Sequence, residues 1–376
     1  YVAAGAAAIA LIAVFLWLIG PSRRSQVPYP LVLVHGFGGS GDIWTDKYQV
    51  VSFFERRGLR FGGILSVDAS GRVQLDRERP GYDFYAVTFS DHYDSIERQT
   101  RELARFVETA RRRSRAEAVV LVGYSMGGVT ARAYLVNHRR DSHVRKLITI
   151  GSPHSGTPLA TLYDLRRWLE YWHTHEPEGW TDHLGQGAAA GGLATLSGLE
   201  SLARSVLHND RFNLTLPAVA DMRPPRRCAY GSYRDGLLPG TTYLERLNTA
   251  THPLGVEYAC VIGEISLDDS LAQVSDRIKG DNPTRGDRPG ILSAIGYPLG
   301  NAALRLIGSS ADSANLFDGG DGVIDTASQD LSQVAFFRRY PGRVKVLRVD
   351  GVGHLEECWH HEAIARAVGA KFLTLR

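Results

Sequence analysis

The sequence predicts an α/β fold, a mainly parallel sheet with helices on both faces, and three observations predict it. Short apolar, β-branched runs recur, as in residues 31–34 and 118–122, which is how strands buried on both faces read. Segments of helical period lie between them, and this alternation implies parallel strands joined by crossovers. Two of the runs end in glycine-rich turns, His35-Gly36-Phe37-Gly38-Gly39 and Gly123-Tyr124-Ser125-Met126-Gly127, where backbone can approach a ligand closely.

Residues 1–20, YVAAGAAAIALIAVFLWLIG, carry no charge. As a helix they would span about 30 Å, the thickness of a bilayer core. They are expected to form a transmembrane helix ended by Pro21, Arg23 and Arg24; a cleaved signal peptide is the competing reading, but the run is long for one and no small-x-small site follows. The chain starts at Tyr1, so residues upstream are expected to be missing. The expected localisation is a single-pass membrane protein with an extracytoplasmic catalytic domain, although Arg23 and Arg24 alone argue the other way by the positive-inside rule. Residues 21–29 read as a linker.

Residues 31–34 are the first strand. Residues 64–75 look like a hairpin folded about Asp68 to Gly71, an excursion rather than core. Residues 84–89 are the next strand, and Ser95 is placed to cap a helix whose Leu103, Phe106, Val107 and Ala110 share one face. The strand and helix around Ser125 follow, then a strand at 146–150. The expected organisation is a core in two parts, 30–158 and 313–376, interrupted by a cap or lid insertion at 159–312 that carries one core strand near 256–262. Aromatic, glycine-hinged material in that insertion suits a cover for apolar substrate, and helical decoration packed on the sheet is the alternative. A strand at 344–349 and a helix at 362–373 close the chain.

The net charge of +3 comes from mixed charges. The one basic run, Arg111-Arg112-Arg113-Ser114-Arg115, falls at a predicted helix end where it favours the dipole, so no nucleic-acid partner is expected. Cys228, Cys260 and Cys358 have no C-x-x-C spacing, which argues against zinc and permits at most one intrachain disulfide. No metal or organic cofactor is expected.

Gly123 to Gly127 fit G-x-S-x-G between a strand and a helix, a setting that exposes a serine hydroxyl. Such a hydroxyl needs a base, an acid to orient it and donors for an oxyanion. His354, in the loop after the last strand, is the base favoured over His92, His173, His175, His183, His360 and His361. Asp318, Asp321 and Asp325 crowd the glycines of DGGDGVID; Asp321 is the favoured acid, Asp318 the fallback, and the spacing does not fit a calcium loop. The oxyanion donors expected are the amides of Met126 and Phe37. His35 reads as a structural histidine, and the glycines around it do not form G-x-G-x-x-G.

In this order LVLVHGFGG, VGYSMGG, ITIGSPHSGTP, GDGVID and GVGH resemble the α/β-hydrolase lipases, particularly the bacterial triacylglycerol lipases and the related GPI inositol-deacylase-like group. The likeness is strong over about residues 30–160, returns over 313–356 and is faint between. It implies an α/β-hydrolase fold, hydrolysis of lipid-like acyl esters, the triad Ser125, Asp321 and His354, and a substrate site bounded by His35, Gly36, Tyr124 and His154, the last as a wall residue in the loop after the sixth strand. Many relatives carry a proline where this chain reads GVID, which keeps Asp318 and Asp325 beside Asp321. An uncleaved membrane helix is unusual among secreted lipases and suggests work at a membrane surface or within a larger assembly. Two further readings stay open: an acyltransferase with the same triad, and an idle hydrolase-fold subunit of a membrane complex.

Overall fold

A computed structural model describes residues 25–157, 160, 217–223, 242–265, 320–321 and 323–375. The first strand is β1 (Leu31–Val34). β2 (Phe61–Val67), β3 (Val73–Asp76) and β4 (Phe84–Val87) follow, then β5 (Val119–Tyr124), β6 (Val144–Ile150), β7 (Glu257–Glu264) and β8 (Val344–Asp350). They form one sheet in the order β3-β2-β4-β1-β5-β6-β7-β8. Every pairing is parallel except that of β2 with β3. It is accompanied by α1 (Val50–Arg56), α2 (Ile96–Ser114), α3 (Met126–Asn137), the short α4 (Pro217–Asp221) and α5 (Tyr243–Thr249). Near the end come α6 (Thr326–Gln329), α7 (His361–Val368) and α8 (Ala370–Leu373).

Alternate residues of each strand enter opposite cores. On one face Leu31, Leu33, Phe84, Val120, Val122 and Ile148 pack with Phe53 and Phe54 of α1 and with Ile364 and Phe372 of the final helices. On the other, Val32, Val34, Val87, Leu121 and Leu147 meet Leu103, Phe106 and Val107 of α2 and Leu135 of α3. The helix predicted after Ser95 starts there, with the Ser95 hydroxyl accepting the Arg98 amide. Met126 and Val129 of α3 form a third cluster with Ala218 and Val219 of α4 and Leu244 and Leu247 of α5.

Two expectations need correction. Residues 64–75 do fold back on themselves, with Asp68 Oδ1 accepting the amides of Ser70 and Arg72 at the turn. Their first half is nevertheless core: β2 is buried over Phe61–Ser66 and pairs with β4 through Ile64–Ala86 and Leu65–Val87. Gly62 and Gly63 broke the apolar run and hid it; a Cβ on Gly62 would lie 2.3 Å from the Tyr85 ring. The last helix is two, because Gly369 sits at φ 93° and interrupts it.

The linker is ordered at its end, where the buried Asp83 carboxylate accepts the Ser25 hydroxyl and the Arg60 amide. No helix among the described residues is long and apolar enough to cross a membrane. Residues 1–20, and most of the expected cap at 159–312, lie outside the described residues.

Candidate active site

The carboxyl ends of the parallel strands converge on Ser125, as ligand sites do in open α/β sheets. Ser125 stands between β5 and α3 at φ 52°, ψ −128°, a strained conformation for a residue with a Cβ. Its amide donates to the Ile150 carbonyl at 2.8 Å, which fixes the turn to β6. The tight turn needs glycine behind it: a Cβ on Gly127 would sit 2.3 Å from the His35 carbonyl oxygen. Half-buried, the hydroxyl lies 3.0 Å from His354 Nε2.

His354 opens a short helical turn after β8, and its Nδ1 is 2.7 Å from Asp321 Oδ2. A carboxylate oxygen accepts, so Nδ1 carries the proton and Nε2 turns a lone pair to Ser125. The other Asp321 oxygen accepts the amides of Val323 and Ile324 at 2.9 and 2.7 Å. The His354 amide donates to the Asp321 carbonyl, and Ile265 at the end of β7 donates to Gly320. The Asp321 and His354 loops are thereby tied to each other and to the sheet. Asp325 caps α6 instead, accepting the Ser328 amide; Asp318 lies outside the described residues.

Phe37 lies in the turn after β1, and Met126 is the first residue of α3. Neither amide has an acceptor among the described residues. Gly36 passes directly against Ser125, since a Cβ there would lie 2.8 Å from Ser125 Cβ. His35 is fully buried; its Nδ1–H donates to the Gly36 carbonyl at 2.7 Å and its Nε2 accepts the Phe89 amide at 3.3 Å. Burial pushes it down to about 4, so it is a neutral strut for this turn.

Two of the residues named for substrate are buried rather than facing an open site. Tyr124 stacks on the His354 ring at 5.2 Å between centroids, and its buried hydroxyl donates to the His354 carbonyl at 2.8 Å. His154 is fully buried, with Nε2 3.1 Å from the Thr149 hydroxyl. Its amide donates to the Ser328 carbonyl, so the expected wall segment is bolted to the segment after Asp321 while the ring is buried.

Sequence reasoning missed Glu357. It is buried on the same helical turn as His354, its Oε2 is 3.6 Å from His354 Nδ1, and its Oε1 accepts the Gly263 amide at 2.8 Å. Burial, then the charge of Asp321, push its carboxyl well above the usual carboxylate range. The signal was the three-residue spacing from His354. Asp321, His354 and Glu357 are also the one described cluster with donor atoms close enough to suit a metal, but Asp321 and His354 are already engaged with each other. Cys260 and Cys358 are buried free thiols.

Residues 29–177 match a family model described as alpha/beta hydrolase fold. Among curated proteins, the (lyso)-N-acylphosphatidylethanolamine lipases of Homo sapiens and Bos taurus are each 27% identical over 135 residues. That stretch is 36% of this chain and 33% of theirs, so the match spans about a third of the relatives' length. Among solved structures, the mature lipase BlEst2 of Bacillus licheniformis aligns over 94% of both chains at 16% identity and TM-score 0.47. EstA from Clostridium botulinum aligns over 96% of this chain and 91% of its own at 17% identity and TM-score 0.44. With a mostly parallel eight-stranded sheet built around a strand-to-helix serine turn, and with the family model laid over that turn, the chain has the α/β-hydrolase fold.

Proposed function

We propose that the protein is a carboxylic ester hydrolase of the lipase and esterase type, acting on lipid-like esters through an acyl-enzyme. The observation that carries this reading is the unbroken line from Asp321 Oδ2 through His354 to Ser125 Oγ, with contacts of 2.7 and 3.0 Å. In this reading His354 Nε2 takes the Ser125 proton as the hydroxyl attacks the ester carbonyl. The oxyanion is held by the amides of Phe37 and Met126, the alcohol leaves with the proton from His354, and water then cleaves the acyl-enzyme by the same route. Asp321 holds the imidazole in the tautomer the step requires. The names of the curated relatives support a lipid-like ester as substrate.

The reading extends to residues 159–312 as a cap over the acyl site and to residues 1–20 as a single membrane anchor, which would keep the enzyme close to lipid. Alkaline extraction of membranes expressing the full chain tests the anchor: retention in the pellet supports it, and release contradicts it. The activity is tested by following acid and alcohol release from esters of increasing acyl length, with Ser125→Ala as control. Chain-length-dependent release that the variant lacks is expected. Ester formation with an added alcohol in preference to water would favour acyl transfer, and no turnover of any ester by folded protein would favour an idle subunit.

A further inference from the structure

Arg132 is the one charged residue on α3, and its side chain is completely buried. Its Nη2 donates to Asn248 Oδ1 at 2.7 Å and approaches the His154 carbonyl oxygen at 3.5 Å. Its Nε and Nη1 have no hydrogen-bond partner, and no carboxylate pairs with it among the described residues. Desolvation pushes the guanidinium down to about 9. A buried cation without a counter-charge is among the costlier arrangements a fold can hold.

Two imidazoles share this interior. His154 Nδ1 and His252 Nε2 are both buried and also lack partners among the described residues. Arg132 Nη2 reaches both the His154 carbonyl and Asn248, four residues before His252, and burial, then the Arg132 charge, lower both rings. Tyr243 and Tyr258, pushed up by burial, complete the titratable surroundings of the guanidinium. The Thr149 hydroxyl can donate to His154 Nε2, which leaves the proton on Nδ1. Arg132 Nε–H, Arg132 Nη1–H and His154 Nδ1–H then form a set of donors with no acceptor of their own.

We propose that Arg132 and His154 bound a binding site for one small monovalent inorganic anion, chloride being the common member of that class. The anion supplies the charge that Arg132 lacks and accepts its two unused N–H directions. The competing occupant is a water molecule, because His252 Nδ1 gives its proton to the Ala250 carbonyl at 2.9 Å and leaves a lone pair on Nε2. Charge decides for the anion, since water leaves the guanidinium unpaired. The site is separate from the reacting serine, yet the His154 segment is bonded to the acid turn at Ser328.

The test is thermal unfolding of the full chain in sodium chloride against sodium gluconate at equal ionic strength. An anion that binds only the native state raises Tm with its concentration, by about 2 to 4 °C well above Kd. That rise in chloride alone is expected, with its loss in Arg132→Met. Crystals soaked in bromide provide a readout that needs no variant, with an anomalous peak expected against Arg132 Nε and Nη1. Equal Tm in the two salts, or bromide confined to the surface, would overturn the proposal in favour of water. A chloride response retained in folded Arg132→Met would also overturn it, by placing the anion elsewhere.

Discussion

Glu357 Oε2 lies 3.6 Å from His354 Nδ1, beside the Asp321 oxygen that takes the imidazole's hydrogen bond. Two buried carboxyl groups therefore back one histidine. They do not share the negative charge equally, because burial and the charge of Asp321 raise the Glu357 carboxyl well above the usual range and favour its neutral form. A neutral carboxyl resembles an amide in shape and charge. Glu357→Gln is thus predicted to keep kcat/KM within about threefold of the parent, while Glu357→Ala, which empties a buried site and leaves the Gly263 amide with Gln329 Oε1 alone, costs about 1–3 kcal/mol of stability. Steady-state kinetics and denaturant unfolding measure both, and a hundredfold loss of kcat in Glu357→Gln would show that a charged Glu357 is required.

Asp321→Asn separates folding from tautomer control. The amide oxygen can still accept from Val323 and Ile324, so the acid turn should fold. If the Asn oxygen stays on those amides, its NH2 faces His354 Nδ1 and favours the tautomer whose proton points at Ser125. A loss in kcat on the order of 10³ to 10⁴ is predicted, as for a triad whose aspartate is made neutral, with a small change in Tm. Activity near that of the parent would remove Asp321 from the triad.

Gly36→Ala tests the approach of the β1 turn to the nucleophile. A Cβ placed 2.8 Å from Ser125 Cβ forces one of the two backbones to move. Since Phe37 follows, the shift moves a proposed oxyanion donor, and a fall in kcat of about 10² is expected with KM little changed. An unaffected kcat would place the oxyanion donors elsewhere.

Stability should fall on mild acidification. His35 titrates near 6.5 when unfolded and at about 4 in the fold. Its contribution is complete above about 6.5 and is lost as pH falls toward 4, because over that window the unfolded chain binds the extra proton. The size is on the order of 3 kcal/mol for this shift, and the buried His252, at about 3, acts in the same direction. Urea unfolding between pH 4 and 8 measures the slope, and His35→Asn should flatten it; a slope identical in parent and variant would contradict the assignment.

The parts of this site legible in sequence are those set by short-range constraint. A serine between two glycines at a strand-to-helix junction, a histidine just past the last strand and an aspartate among glycines each carry a local signature, and the sheet brings them together. Glu357 and Arg132 were not legible for the opposite reason. Charged residues in helical segments read as solvent-facing, and only packing shows that α3 is buried from Met126 through Leu135. The cue for Arg132 was its isolation in the apolar run VTARAYLV. Of three aspartates close together among glycines, geometry separates Asp321, bonded to His354, from Asp325, spent on a helix cap.

The central claim is that Ser125 is an activated nucleophile. Its most direct measurement is labelling of the full chain with a fluorophosphonate, the adduct being located by mass spectrometry beside Ser125→Ala. The account predicts a single adduct on Ser125, formed at a rate that falls sharply in His354→Ala and absent in Ser125→Ala. Folded protein that forms no adduct, or an adduct on another residue, would contradict it.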